Sequence, residues 1–186
     1  MNFKECEIKG VVLIKPKLIY DERGFFSEVY RKKILNDIVG DKINFCQSNI
    51  SDSSYGTIRG LHFQISPNAQ SKLVSVQKGE VLDVVLDIRK NSPSYGKFYS
   101  IILNDQNNFQ LYIPKGFAHG FSVLSKQARI VYQVDNYYNK ENEFGLNPLD
   151  KELNIDWKIN KEYYNISKRD LNSPNLKDIN PFKFEF

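Results

Sequence analysis

The chain reads as an all-β protein of the sandwich or jelly-roll kind, with a few short helices and an irregular C-terminal tail. Three observations predict it. Short runs rich in Val, Ile, Tyr and Phe alternate with period two, the spacing that puts every second side chain on one face of a strand. Gly, Asn, Asp and Pro break those runs at the intervals expected of a strand-rich barrel. Helical periodicity is sparse, and no internal repeat, linker or low-complexity segment interrupts the pattern.

The strand signal is clearest in Glu80 to Ile88, where Leu82, Val84, Leu86 and Ile88 share one face with Glu80, Asp83 or Asp87 partly opposed, so at least one side is buried. Tyr99 to Leu103 and Phe109 to Ile113 flank the Asn-rich segment Asn104 to Asn108. Because Asn and Asp tolerate left-handed turns, that arrangement predicts a hairpin. A helix is predicted over Arg31 to Val39, with Ile34, Leu35, Ile38 and Val39 on one side and Gly40 as its stop. A second helical turn is predicted near Ser167 to Leu171, and the Asn-, Lys- and Pro-rich stretch from Asp150 to Phe186 is expected to wrap the barrel as an irregular tail.

Composition narrows the function classes. With 186 residues, 41% of them hydrophobic and 13% aromatic, the chain can bury a sizeable core, and one domain spanning 1–186 is expected. No run approaches the roughly 20 apolar residues that a membrane helix needs, and the first ten residues carry alternating charge. A soluble, cytoplasmic protein with no membrane partner follows as the expectation. Cys6 and Cys46 are the only cysteines, too few for a disulfide framework, and are expected as plain buried or half-buried thiols in a reducing compartment. The net charge of +4 arises from 26 basic and 22 acidic residues interleaved along the chain. That pattern argues against a nucleic-acid partner and suits a small phosphorylated ligand drawn to a few focused cations.

The chain has two histidines, His62 and His119, both among apolar strand residues. Such a histidine is more often a satisfied core residue than a reacting one, but the Gly- and Pro-bounded surroundings allow close approach of a ligand. A metal site needs three or more converging ligands, commonly with two histidines close on one strand. His62 is followed by Phe63 and Gln64, and there is no third histidine, so no metal is expected. Proton transfer asks instead for a base steadied by a carboxylate, an acid on the other side of the substrate and a cation for an enolate. His62, Asp170, Tyr132 and Lys72 supply those types, although spacing alone reads Asp170 as the last residue of a helix capping box beginning at Ser167.

Taken in order, several blocks resemble the dTDP-4-dehydrorhamnose 3,5-epimerase family. They are Asp21 to Glu28, Gln47-Ser48-Asn49, Thr57 to Gln64, Ala69 to Val74, Ile113 to Phe121, Tyr132, Tyr137-Tyr138, Glu143 with Gly145, Asp156-Trp157 and Ser167 to Asp170. The resemblance implies a cupin-type jelly-roll barrel working as a homodimer, without metal or redox cofactor, on a nucleotide-linked 4-keto-6-deoxyhexose. It implies that His62 removes a proton beside the sugar ketone, Asp170 orients its imidazole, Tyr132 returns a proton from the opposite face and Lys72 stabilises the enolate. It further implies substrate contacts at Arg23, Phe26, Glu28, Gln47, Asn49, Arg59, Lys72, His119, Tyr138, Glu143 and Lys168. The resemblance implies inversion at C3 and C5; Asn147 to Lys151 depart from the family pattern, which leaves another activated 4-keto sugar, such as a GDP-linked heptose, or inversion at only one of the two carbons, as alternatives. A ketoisomerase or a non-catalytic sugar-binding module are the other readings of such a barrel.

Overall fold

The computed structural model describes residues 2–40, 42–180 and 184–186. In chain order the strands are β1 Asn2–Glu5, β2 Val12–Lys15, β3 Ile19–Asp21, β4 Gly24–Phe26, β5 Gln47–Ser54, β6 Thr57–Gln64, β7 Lys72–Lys78, β8 Glu80–Asp87, β9 Phe98–Asn104, β10 Gln110–Ile113, β11 Phe117–Val123, β12 Gln127–Val134, β13 Glu143–Gly145 and β14 Asn165–Ile166. Among the described residues two α-helices accompany them, α1 Lys32–Val39 and α2 Lys168–Leu171. Among the described residues no helix is long and apolar enough to cross a membrane.

The strands form a jelly-roll barrel of two facing sheets. One has the order β1-β2-β10-β7-β12-β5, and the other β13-β6-β11-β8-β9 with β14 added alongside β6. Period-two alternation sends one set of side chains between the sheets: Leu13, Val74, Val85, Leu103, Leu111, Phe121, Val123 and Ile130 pack there as one apolar cluster.

A second cluster lies on the outside of the β13-β6-β11-β8-β9 sheet. Leu82, Val84 and Leu86 of β8 join Ile58, Leu61 and Ala118 beneath Leu146, Leu153 and Trp157. The predicted Leu82–Ile88 face is therefore the outer one, roofed by the C-terminal segment. β8 is buried on both faces, and Asp83 and Asp87, expected opposite that apolar face, are both fully buried. The tail is as irregular as expected, but it carries core residues, with Trp157 1% exposed and its indole N–H donating to the Pro148 carbonyl at 2.8 Å. The part of the tail expectation that falls on residues 181–183 lies outside the described residues.

Two expectations are corrected. Asn104 to Asn108 does not close a hairpin, because β9 pairs with β8 in one sheet while β10 pairs with β2 and β7 in the other. The Asn side chains do make the turn, with Asn104 Oδ1 accepting from the backbone of Gln106 and Asn107. The turn rounds a barrel corner, which local sequence cannot tell from a hairpin. Cys46 is exposed rather than buried or half-buried, while Cys6 is half-buried. Helix α1 follows its prediction, buries Leu35 and ends at Gly40 with φ 75°, the left-handed stop that glycine adopts without a Cβ penalty.

Candidate active site

A cavity of about 380 Å³ opens between the two sheets, lined among others by His62, Lys72, His119, Tyr132, Tyr138 and Glu143. Each wall has its own chemistry. β5 presents Gln47, Asn49 and Ser51 inward and turns Ile50 out to 65% exposure, so its alternation is inverted, polar side inward. Tyr132 on β12 pairs with Asn49 on one side and Val74 on the other. Lys72, two residues before Val74, shares its face, so phenol and ammonium approach from the same sheet.

His62 comes from the opposite sheet. Between the paired positions His119–His62 and Phe121–Arg59, β6 carries one more residue than β11. Arg59 and His62 are an odd number apart and would face opposite sides of a regular strand. The extra residue turns both toward the cavity. Gly60 makes this possible: its φ is +120°, and a Cβ there would lie 2.5 Å from the Cα of Gly120.

The His62 ring is held by Asp170, Nε2 to Oδ1 at 2.7 Å. Asp170 is 4% exposed. Burial pushes its carboxyl up, but the hydrogen bond and charge of His62, the Gly60 N–H and Ser167 outweigh it, so the group sits below the ordinary carboxylate range. The capping reading is half right. Ser167 Oγ accepts from the Asp170 N–H at 3.1 Å as an N-cap, while the carboxylate goes to His62 and Gly60. The cap thus aims the carboxylate.

Lys72 is buried at 8% exposure, and its Nζ donates to the His62 carbonyl at 3.3 Å. Burial pulls its pKa down to about 8, against the upward pull of Glu143 and Asp83. Burial also raises the Tyr132 phenol, with Glu143 adding to the rise and Arg59 opposing it, so it is a neutral proton donor at neutral pH. Tyr138 stands at the rim, 52% exposed, its hydroxyl donating to Glu143 Oε2 at 3.0 Å and its N–H to Gln47 Oε1 at 3.0 Å. The guanidinium of Arg59 is steadied by Ser53 at 3.1 Å.

Ten of the fourteen residues named from sequence meet here: His62, Lys72, Tyr132, Gln47, Asn49, Arg59, His119, Tyr138 and Glu143 line the cavity, and Asp170 stands behind His62. Arg23, Phe26 and Glu28 do not line it. They belong to the exposed β3–β4 hairpin and the segment after it, where Arg23 pairs with Asp21 and Glu28 with Arg31. Lys168 also lies outside the lining, whereas its neighbour Arg169 reaches Glu143. Sequence reasoning missed Arg169 and Asp83, the latter bonded to His119 at 2.8 Å. Only Asp83 had a signal, as an acidic residue inside an apolar strand.

A carboxylate-held imidazole on one sheet faces a phenol and a buried ammonium on the other, the set of base, acid and cation that an isomerase working by proton transfer calls for, in a jelly-roll barrel. A family model described as dTDP-4-dehydrorhamnose 3,5-epimerase matches residues 5–178. The Shigella flexneri dTDP-4-dehydrorhamnose 3,5-epimerase is 44% identical over 182 residues, covering 98% of this chain and 99% of that one. The crystal structure of the Elizabethkingia anophelis NUHP1 enzyme of the same name superposes with a TM-score of 0.93 at 45% identity, over 96% of this chain and 97% of that one. That of dTDP-6-deoxy-D-glucose-3,5-epimerase from Legionella pneumophila Philadelphia 1, in complex with dTDP-4-keto-L-rhamnose, gives 0.94 at 41%, over 99% and 97%. The chain belongs to the dTDP-4-dehydrorhamnose 3,5-epimerase family.

Proposed function

We propose that this protein is an isomerase that inverts C3 and C5 of dTDP-4-dehydro-6-deoxy-D-glucose, giving dTDP-4-dehydro-L-rhamnose, in a single domain that needs no metal or redox cofactor. The observation that carries the reading is the placement of His62 and Tyr132 on facing sheets of one cavity. A hydrogen on a carbon beside a ketone is acidic because the anion delocalises onto oxygen. His62 takes that proton, and Asp170 fixes the tautomer and stabilises the imidazolium that forms. The Lys72 charge favours the enolate oxygen over the ketone in this reading. Tyr132 delivers a proton to the other face of the same carbon, so the centre inverts, and the phenolate and imidazolium then exchange protons with solvent.

The nucleotide is held by the polar wall. Arg59 supplies a guanidinium for diphosphate oxygens, Gln47 and Asn49 supply amide groups, and the Tyr138 ring offers a face for the base.

The active unit in this reading is a homodimer. Tyr20 is 70% exposed and Phe26 69%, with Ile19, Phe25 and Val29 also open. An apolar patch of that kind marks an interface. β5 is the terminal strand of its sheet, with Ile50 exposed beside its free edge, and such an edge invites pairing. Pairing would bring a second copy's Arg23, Phe26 and Glu28 toward the cavity their own chain leaves out of reach. The exposed free thiol of Cys46 suits the reducing cytoplasm in which nucleotide sugars are made.

The test is a panel of 4-keto nucleotide sugars in deuterated buffer, read by NMR. The dTDP-linked hexose should take up deuterium at C3 and C5 with inversion at both. Exchange at a single carbon, a migrated ketone, or turnover only of a GDP-linked sugar would each replace this assignment.

A further inference from the structure

We infer that Asp83, which does not line the cavity, is a positioning residue for two groups that do: it holds the His119 ring and supplies the negative charge beside which Lys72 stays a cation. The inference rests on the proposed reaction for its kinetic consequences only.

Asp83 interrupts the apolar β8 and is 0% exposed, a position unfavourable for a carboxylate unless it is well paired. Asp87 on the same strand shows what a purely structural acid looks like. It is equally buried, and its oxygens accept from Arg89, Ser92 and Ser94, which locks the loop that follows. Asp83 is different. Its Oδ2 meets His119 Nε2 at 2.8 Å, while its Oδ1 has no hydrogen-bond partner among the described residues. Both oxygens of Asp87 are thus spent on the loop beside it, whereas the one side-chain contact of Asp83 among the described residues is to a ring that lines the cavity.

Register places Asp83 beside a ring that lines the cavity. Asp83 pairs with Phe121 and Val85 with His119, so carboxylate and imidazole share one face, and His119 in turn lies opposite His62. The groups that face the cavity with Lys72 are Arg59 and His62 from β6, His119 from β11, Tyr132 from β12, and Tyr138 and Glu143 from the rim. Two acids act on the ammonium, Glu143 and Asp83, against the burial that drives its charge off. Glu143 is shared with Tyr138 and Arg169. Among the described residues Asp83 has only the imidazole as a hydrogen-bond partner.

Asp83→Asn keeps shape and a hydrogen-bond acceptor but removes charge. Asp83→Glu keeps charge but pushes His119 away from its seat. Lysines labelled at Cε allow Lys72, identified by its loss in Lys72→Arg, to be titrated by NMR in each variant, alongside kcat/KM against pH. Lys72 should lose its proton at lower pH in Asp83→Asn; a shift of one pKa unit cuts its charged fraction about fivefold at pH 8, and the alkaline limb of kcat/KM should move equally. In Asp83→Glu the Lys72 titration should stay put while KM rises. Lys72 titrating unchanged in Asp83→Asn, or activity falling by one factor at every pH, would overturn the inference. If Asp83→Asn does not fold, Asp83→Glu decides: a raised KM with an unmoved Lys72 supports the inference, and an unchanged KM refutes it. Should the wild type turn over no nucleotide sugar, the functional reading fails, and the Lys72 titration still judges this one.

Discussion

At 8% exposure, Lys72 is a cation kept where charge is expensive, and two consequences belong to that single residue. With a pKa near 8, its charge is present at neutral pH and lost above it, so kcat/KM should fall on the alkaline side around pH 8, as a pH-rate profile would show. Lys72→Met should abolish turnover, yet stabilise the fold at pH 7 by up to about 3 kcal/mol, because the folded-state penalty of a lowered lysine pKa is then removed. The sign follows from proton counting: between the lowered and the ordinary lysine pKa the unfolded chain binds more protons, so wild-type stability rises with pH through that window. Thermal melts of both proteins at pH 7 and pH 10 should converge as pH rises. His62, Tyr132, Lys72 and Asp170 were legible through the ordered blocks of the sequence, since each lies in or beside a run that resembles the family. Asp83 and Arg169 were not, because the partner of His119 or Glu143 is set by strand register and by the path of the tail.

Elements decide which side chains reach the cavity. The extra residue in β6 makes Arg59 and His62 neighbours, and it depends on Gly60, whose backbone is left-handed and whose missing Cβ leaves room for Gly120. Gly60→Ala should lower stability by a few kcal/mol through strain and the close contact and cut activity further than the melting temperature explains, because Arg59 and His62 lose their common face. Differential scanning calorimetry with kcat/KM on the folded fraction separates the two effects. Strand periodicity was readable for β8 and helix periodicity for α1, since each alternation or stripe is local. The corner between β9 and β10 was misread because a turn built by Asn side chains looks the same within a sheet and between sheets. β5 carried its message inverted, polar residues inward and Ile50 outward, a pattern that makes sense only with a wet cavity on its inner side.

The whole molecule is a barrel whose outer sheet face is roofed by its own C-terminal segment, with Trp157 and Leu153 over β8. That roof also delivers Asp170 to the back of His62, so the tail completes both core and site. Sequence composition marked the tail as irregular but not as indispensable, because its buried anchors are few and widely spaced. Trp157→Ala should cost about 3–5 kcal/mol as an unfilled core position, measured by denaturant unfolding. At the same scale, the apolar hairpin predicts assembly: Phe26→Asp should shift the protein from dimer to monomer by light scattering and reduce kcat/KM together with it. A monomeric wild type of full activity would remove the second copy from the site.

In the proposed reaction protons leave one face of the sugar and arrive at the other from different sheets of the barrel. Stopped time courses in deuterated water, with wild type, His62→Ala and Tyr132→Phe, test it most directly. His62→Ala should lose carbon–hydrogen exchange at both C3 and C5 by about 10²–10⁴-fold, whereas Tyr132→Phe should still exchange while inverting far more slowly than it exchanges. Undiminished exchange in His62→Ala, or exchange and inversion slowed together by one factor in Tyr132→Phe, would contradict it.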